Sequence, residues 1–571
     1  MKVVWIFAGV LMVAGCKKSA PAPDVYSPRP KGTLTFSKDV APIVYTQCAT
    51  CHRPGQAAPF SLLTHADAQK HAKQIAEVTA SRYMPPWMPA PGYVEFAGER
   101  RLTTDQLGVI QQWVVEGAVE GNPAHLPPMP KWKEGWQLGE PDLVVTMPAP
   151  YTLPAEGKDV YRNFVVPIPL EKARYVRAVE FNPGNWKVAH HAFFRFDRTS
   201  DSRAADERDA EVGFPGIHTP QNAQAPSGHF ASWQPGKVFS QVPEGLSWRL
   251  ETGTDLVLQM HLQPSGKPEP VQASMAFYFT DRAPTNTPDK ISLSSYEIDI
   301  PPGVSNHVVT ESLVTPADLQ VLGILPHAHY LATEVDGLAT LPDGSKQWLL
   351  KINKWDFNWQ GDYRYAHPIF LPKGTTISMK FTFDNTDQNP SNPSHPPKRV
   401  RYGLQTTDAM AELWLQVLTS NAKDAAALTA FNQSRLIKDT IAYNTYLLKS
   451  DPRDASAYNG LGKAMYFADD FQAAWNHFQT AVKLKPDLDE AHYFLALIYR
   501  RQNRFPEAKQ EFQRVLQVNP KHSKAAGNLG VISLQEGNLA EAERYFAQAL
   551  SLNPEDDIAR RGLDDVVRLR R

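Results

Sequence analysis

Leu484-Lys485-Pro486 returns as Val518-Asn519-Pro520 and again as Leu552-Asn553-Pro554. With Pro452, these prolines stand 34 residues apart. Between them the same residue types recur. The first interval carries Tyr458, Leu461, Gly462, Ala474, Phe478 and Ala481. The second carries Leu495, Ala496, Tyr499, Ala508 and Phe512, and the third Leu529, Gly530, Ala542, Phe546 and Ala549. A fixed period of this length marks stacked helical pairs, because one pair cannot bury its apolar face alone. Small residues let the paired helices approach, and the aromatics fill the space between pairs. The spacing predicts three pairs over 453–554 and a capping helix to about Val567.

This period and these residues resemble the tetratricopeptide repeat, which implies an α-solenoid with a protein partner on its concave face. The rest of the chain reads differently. Of 48 prolines, only five lie beyond residue 434. The first three quarters are therefore expected to hold loops and short strands. At 571 residues the chain is long enough for three to four domains of about 150 residues. Lys plus Arg is 59 and Asp plus Glu is 60, a net charge of −1, which argues against a nucleic-acid partner. With 42% hydrophobic and 21% charged residues the composition is globular.

The three cysteines take separate roles. Met1-Lys2 precedes an apolar run from Val3 to Gly15, which has signal-peptide proportions and is too short to span a bilayer. Val13-Ala14-Gly15-Cys16 resembles a bacterial lipobox, so residues 1–15 read as a lipoprotein signal peptide and Cys16 as the lipidated residue. Residues 16–31 follow as a tether. The expected protein is exported and lipid-anchored to a bacterial membrane, facing the periplasm. Lys17, rather than an aspartate, follows the cysteine and favours the outer membrane.

Cys48-Ala49-Thr50-Cys51-His52 is the c-type haem attachment pattern. Cys48 and Cys51 add across the haem vinyls, and His52 is placed to ligate the iron. A zinc site needs further Cys or His ligands nearby, and the chain has no other cysteine to spare. Residues 66–83 read as a helix that ends before Met84-Pro85-Pro86-Trp87-Met88. Thioether is a common second axial ligand. Met84, at the helix end, is the expected one, with Met88 as the alternative. A helix from Thr104 to Gly117 closes a small all-α cytochrome c domain over 32–122, and a Pro-rich linker covers 123–137.

Residues 138–425 show short strand-forming runs instead of helical periodicity. Ile377-Ser378-Met379-Lys380-Phe381-Thr382-Phe383 alternates apolar and polar most cleanly. The pattern reads as antiparallel sandwich or jelly roll, with room for two domains. Here lie His190-His191, His261, and His327-Ala328-His329. His327 and His329 share one strand face and can bind one metal. An adjacent pair such as His190 and His191 can do so only where the chain turns or bulges. Imidazole and imidazole–thioether sites suit copper, with zinc as the other choice.

These residues, in this order, resemble the copper type II, ascorbate-dependent monooxygenases, the family of peptidylglycine α-hydroxylating and dopamine β-monooxygenases. The resemblance covers roughly 140–420. It implies two jelly-roll domains, here 138–283 and 284–425, each with one copper ion. It implies copper site one at His190, His191 and His261, and a catalytic copper at His327, His329 and Met410. Gln259, Trp233, Gly236, Pro243 and Gly245 follow the family's spacing before His261. The chain departs from the animal peptidylglycine enzyme at Leu325, where that enzyme has an arginine, and at Trp414, where it has a tyrosine. An apolar residue cannot pair a carboxylate, so a peptidylglycine gives way to a more apolar or neutral substrate, small molecule or peptide.

The expected activity is hydroxylation of a C–H bond with dioxygen. The fused haem supplies electrons in place of ascorbate, itself fed by an electron donor, with tetratricopeptide repeats over 426–571. The alternative is a non-catalytic electron-transfer or scaffold lipoprotein that recruits partners through its repeats.

Overall fold

The computed structural model describes residues 25–56, 58–132, 135–216, 219–220, 222–235, 237, 241–554 and 556–571. Cys16, with the whole signal segment, and Gly236 lie outside these residues. The chain divides into two compact units. One takes Met1–Trp87 and Glu99–Trp132, the other Met88–Gly98 and Lys133–Arg571.

The first unit is helical. A run over 36–48 winds as alternating π and α turns up to Cys48. Helices His65–Lys70, Ala72–Ala80 and Thr104–Val115 follow. Thr64 with Asp67, and Thr103 with Gln106, form reciprocal capping boxes that satisfy the free N–H groups of the first turn. The helix expected over 66–83 is broken at His71, whose ring lies flat on Phe60 with centroids 3.9 Å apart. Phe36, Val40, Val44, Ile75, Ile110 and Trp113 share one core.

The second unit contains four large sheets and the helical repeats. Leu143–Thr146, Ser274–Thr280, Arg174–Asn182 and Trp248–Leu250 form one sheet. Phe214–Pro215, Val160–Pro167, Asp255–Leu262, Ala189–Asp197 and Ser232–Trp233 form the next. Phe164, Phe194 and Leu258 from one meet Val176, Phe181 and Phe277 from the other in a single core. A second pair of sheets follows in sequence. Asp289–Ser294, Ala411–Leu418, Leu319–Ala328 and Tyr363–Leu371 form one. His307–Val314, Thr376–Phe383, Ala332–Thr340 and Lys346–Ile352 form the other. Ile377, Met379, Phe381 and Phe383 are all buried, as the alternation predicts.

Met88–Gly98 packs with this β-rich unit, although the sequence reading places it inside a single domain over 32–122. Pro89 bridges to Ile352 and Phe96 to Tyr365, so the segment runs beside two strand edges.

A helix of 29 residues, Ala422–Ser450, precedes the repeats. Its Asn432 side chain donates to the Lys290 carbonyl at 3.0 Å, and its Tyr446 hydroxyl to the Tyr402 carbonyl at 2.6 Å. The pairs Ala455–Phe467 with Phe471–Leu484, Asp489–Arg501 with Phe505–Val518, and Ser523–Gln535 with Leu539–Leu552 then stack, and Asp557–Leu569 caps them. Each pair turns on a left-handed residue: Asp469, Asn503 and Gly537, with φ of 60°, 59° and 74°. Asp, Asn and Gly are the residues that adopt this conformation at least cost.

Candidate metal centres

His191 and His261 are direct partners across the antiparallel ladder of Ala189–Asp197 with Asp255–Leu262. The register shifts between Ala189 and His191, so a bulge falls at His190. A bulge re-aims a side chain, and here it brings two adjacent histidines to one place. His190 Nδ1 and His191 Nδ1 are 3.0 Å apart, and His261 Nδ1 lies 3.4 Å from His191 Nδ1. Ligand atoms of all three fall within 4.8 Å of one another. Nitrogens bound about 2 Å from one tetrahedral ion stand about 3.3 Å apart, so the triad fits a single ion.

The surroundings prepare these rings for metal. His261 Nε2–H donates to Asp159 Oδ2 at 2.8 Å, which fixes the tautomer and frees Nδ1. Tyr161 stacks on His261 with centroids 4.2 Å apart. Burial, helped by neighbouring His261, lowers the His190 pKa to about 4. Burial also holds His191 well below the ordinary range, with His261 and His190 adding to it. Neutral imidazole is the ligating form.

The second cluster sits at the end of Leu319–Ala328. His327 Nδ1 donates to Gln360 Oε1 at 2.7 Å, and His329 Nδ1 to the Asp408 carbonyl at 3.2 Å. Both rings thus commit Nδ1 and keep Nε2, the reverse of His261 in the first cluster. The ring centroids are 5.4 Å apart with planes at 89°. The last ladder pair with Ala411–Leu418 is Ala328 with Ala411, so His329 and Met410 are the next residues on each strand. Met410 and His329 are both buried. Burial, with His327 adding to it, lowers the His329 pKa to about 3. In the same ladder Leu325 pairs with Trp414 and His327 with Glu412, so an apolar pair adjoins the cluster.

In the helical unit, Cys51 N–H and His52 N–H both donate to the Cys48 carbonyl, at 3.1 and 2.9 Å, which winds the motif into one turn. Burial pushes the Cys48 thiol up to about 12, and the Cys51 thiol is raised by the same cause. His52 Nδ1 donates to the Phe60 carbonyl at 3.1 Å and leaves Nε2 for an axial bond. Burial lowers the His52 pKa, against the Phe60 hydrogen bond. These features fit a haem ligand. The two methionines part company. Met84 N–H donates to the Val78 carbonyl at 3.0 Å, at the end of the helix. Met88 belongs to the β-rich unit, where its sulfur accepts from Asp356 N–H at 3.2 Å.

The histidines of both clusters stand out in the sequence; the groups that hold them, Asp159, Tyr161, Gln360 and Phe357, do not. Only the dense aromatics of Trp355-Asp356-Phe357-Asn358-Trp359 mark that stretch. Among the described residues, no helix is long and apolar enough to cross a membrane.

The tetratricopeptide repeat family model matches residues 464–515 and 493–557. Repeats of this family mediate protein–protein contact, which fits a protein partner for this segment. Among solved structures the chain is similar to the Arabidopsis OM64 TPR domain, at 21% identity over 20% of this chain and 95% of that chain, with a TM-score of 0.20. No curated protein matches the chain.

Proposed function

We propose that this protein is a copper-dependent monooxygenase, exported and lipid-anchored through Cys16, with its own c-type cytochrome as the electron relay. The observation that carries the reading is the bulge at His190, which gathers the Nδ1 atoms of His190, His191 and His261. Resemblance of the histidine order to the copper type II monooxygenases supports it further.

His190, His191 and His261 would hold one copper ion and His327, His329 and Met410 another, and bound copper would supply the one-electron chemistry that a reaction of dioxygen with a C–H bond needs. The reaction balances as R–H, O2, two electrons and two protons giving R–OH and water. Asp159 orients His261, and Gln360 and the Asp408 carbonyl orient His327 and His329. The Met410 thioether is a soft donor that favours the cuprous state. Leu325 and Trp414 offer an apolar surface beside His327, which suits a neutral or apolar substrate. In the helical unit, Cys48 and Cys51 would hold the haem covalently, and His52 and Met84 would ligate its iron. Covalent fusion gives such a donor a high effective concentration. The repeats recruit a protein partner.

The test is incorporation of labelled oxygen from dioxygen into candidate substrates by the reduced, copper-loaded protein. Label in the hydroxylated product supports the reading, and label in water alone opposes it. The match of residues 464–557 to an interaction repeat favours a second reading, a scaffold or electron-transfer lipoprotein without catalysis. Full copper loading with no oxygen consumption across apolar and peptide substrates favours that alternative.

A further inference from the structure

The turn Phe357–Trp359 lies between the two histidine clusters. The Phe357 ring, 3% exposed, stacks on His190 with centroids 4.7 Å apart and planes at 16°. It meets His329 edge-on, at 5.9 Å and 88°, and touches Tyr330 at 4.5 Å. Gln360, just beyond the turn, carries the hydrogen bond to His327. One short segment therefore touches both clusters, which come from different sheet pairs.

The strands before and after the turn are both tied to Met88–Gly98. Ala90 N–H donates to the Lys351 carbonyl at 2.7 Å, and Ala97 N–H to the Arg364 carbonyl at 2.8 Å. Asp356 N–H donates to the Met88 sulfur, and Asp356 Oδ1 accepts from Asn358 N–H at 2.9 Å to cap the turn. Packing this tight transmits a displacement instead of absorbing it. A flat ring against an imidazole also restrains the plane of that imidazole, and with it the direction in which His190 presents its nitrogens to His191 and His261.

We infer that Phe357 is a positioning residue that couples the two metal sites, so that filling or losing one changes the affinity of the other. The inference rests on the copper reading above. By linkage the effect must be reciprocal: each site alters the other by the same factor.

The experiment is titration of the full-length protein with Cu(I) against a competing chelator. Site one (His190, His191 and His261) is read in wild type and in His329→Ala, and site two (His327, His329 and Met410) in wild type and in His191→Ala. Each is repeated with Phe357→Leu, which keeps apolar bulk without a flat ring, and with Phe357→Tyr, which keeps the ring. Expected is a shift of about tenfold at each site when the other is deleted, equal in both directions. The shift persists in Phe357→Tyr and disappears in Phe357→Leu. The Cu(II) electron paramagnetic resonance signal of site one should also change in Phe357→Leu. An equal shift in Phe357→Leu and wild type overturns the role of Phe357 and leaves the copper sites standing. Absence of any shift in wild type overturns the coupling. Failure of His190, His191 and His261 to bind Cu(I) at all overturns the copper reading, and this inference with it.

Discussion

His261 is held from both ends of its ring. Its Nε2 donates to Asp159 Oδ2 at 2.8 Å, while its Nδ1 faces His191 Nδ1 at 3.4 Å. In the proposed copper site Asp159 thereby orients a ligand without being one. Burial raises its pKa, but the hydrogen bond and charge of His261 outweigh that and hold the carboxyl below its usual range. Asp159→Asn should weaken metal binding at site one by about 10–100-fold while leaving His327 and His329 competent. Equilibrium copper titration of the variant checks this, and an unchanged affinity contradicts it.

Met84 and Met88 should separate cleanly. Met84→Ala is expected to alter the haem spectrum and leave the covalent attachment intact. Met88→Ala should leave the spectrum alone, because its sulfur already accepts from Asp356 N–H. An altered spectrum in Met88→Ala with an unaltered one in Met84→Ala reverses the axial assignment.

Met410→Ala should abolish oxygenation and remove sulfur scattering from the Cu(I) X-ray absorption spectrum, with site one still loaded. His261→Ala should do the opposite: weaken site one and slow electron delivery. A methionine that only fills core predicts lost stability of about 2–5 kcal/mol and no such division.

In the repeats, a Cβ added at Gly462 would lie 2.6 Å from the buried Phe478 ring, and one at Gly530 equally close to Phe546. Neither ring has room to retreat, since both are fully buried. Gly462→Ala and Gly530→Ala should each cost roughly 1–3 kcal/mol. Thermal denaturation with repeat-specific probes measures it.

His492 Nδ1 donates to Glu511 at 2.6 Å and its Nε2 lies 2.9 Å from the carbonyl of Pro486, one of the repeat prolines. Burial opposes its charge, but Glu511 and the Pro486 carbonyl prevail, and the pKa is raised. The charged form, which donates from both nitrogens, is favoured more in the folded than in the unfolded chain. Stability from this pair is full below the unfolded value, near 6.5, and falls as pH rises through the higher folded value. Glu511→Gln should flatten that part of the curve of Tm against pH, and an unchanged curve contradicts the assignment.

What the sequence made legible follows from periodicity. The 34-residue repeat and the alternation over 377–383 report faces that must be buried, and both appear as read. His327 and His329 stand out as a pair by their spacing of two, although the strand ends at Ala328 and His329 is the first residue beyond it. His190 and His191 needed a bulge, which depends on register with the strand of His261, far along the chain. Phe357, Gln360 and Asp159 left no local pattern, because their roles exist only in tertiary contact. Met88–Gly98 escaped for the same reason. It joins the β unit by isolated bridges instead of a strand with its own alternation.

Metal content tests the central claim most directly. The account predicts two copper ions and one covalently bound haem per chain in protein matured in a host that attaches c-type haem and then loaded with copper. One copper should be lost in His191→Ala and the other in His329→Ala. A chain that carries haem alone, or copper that neither substitution removes, contradicts it.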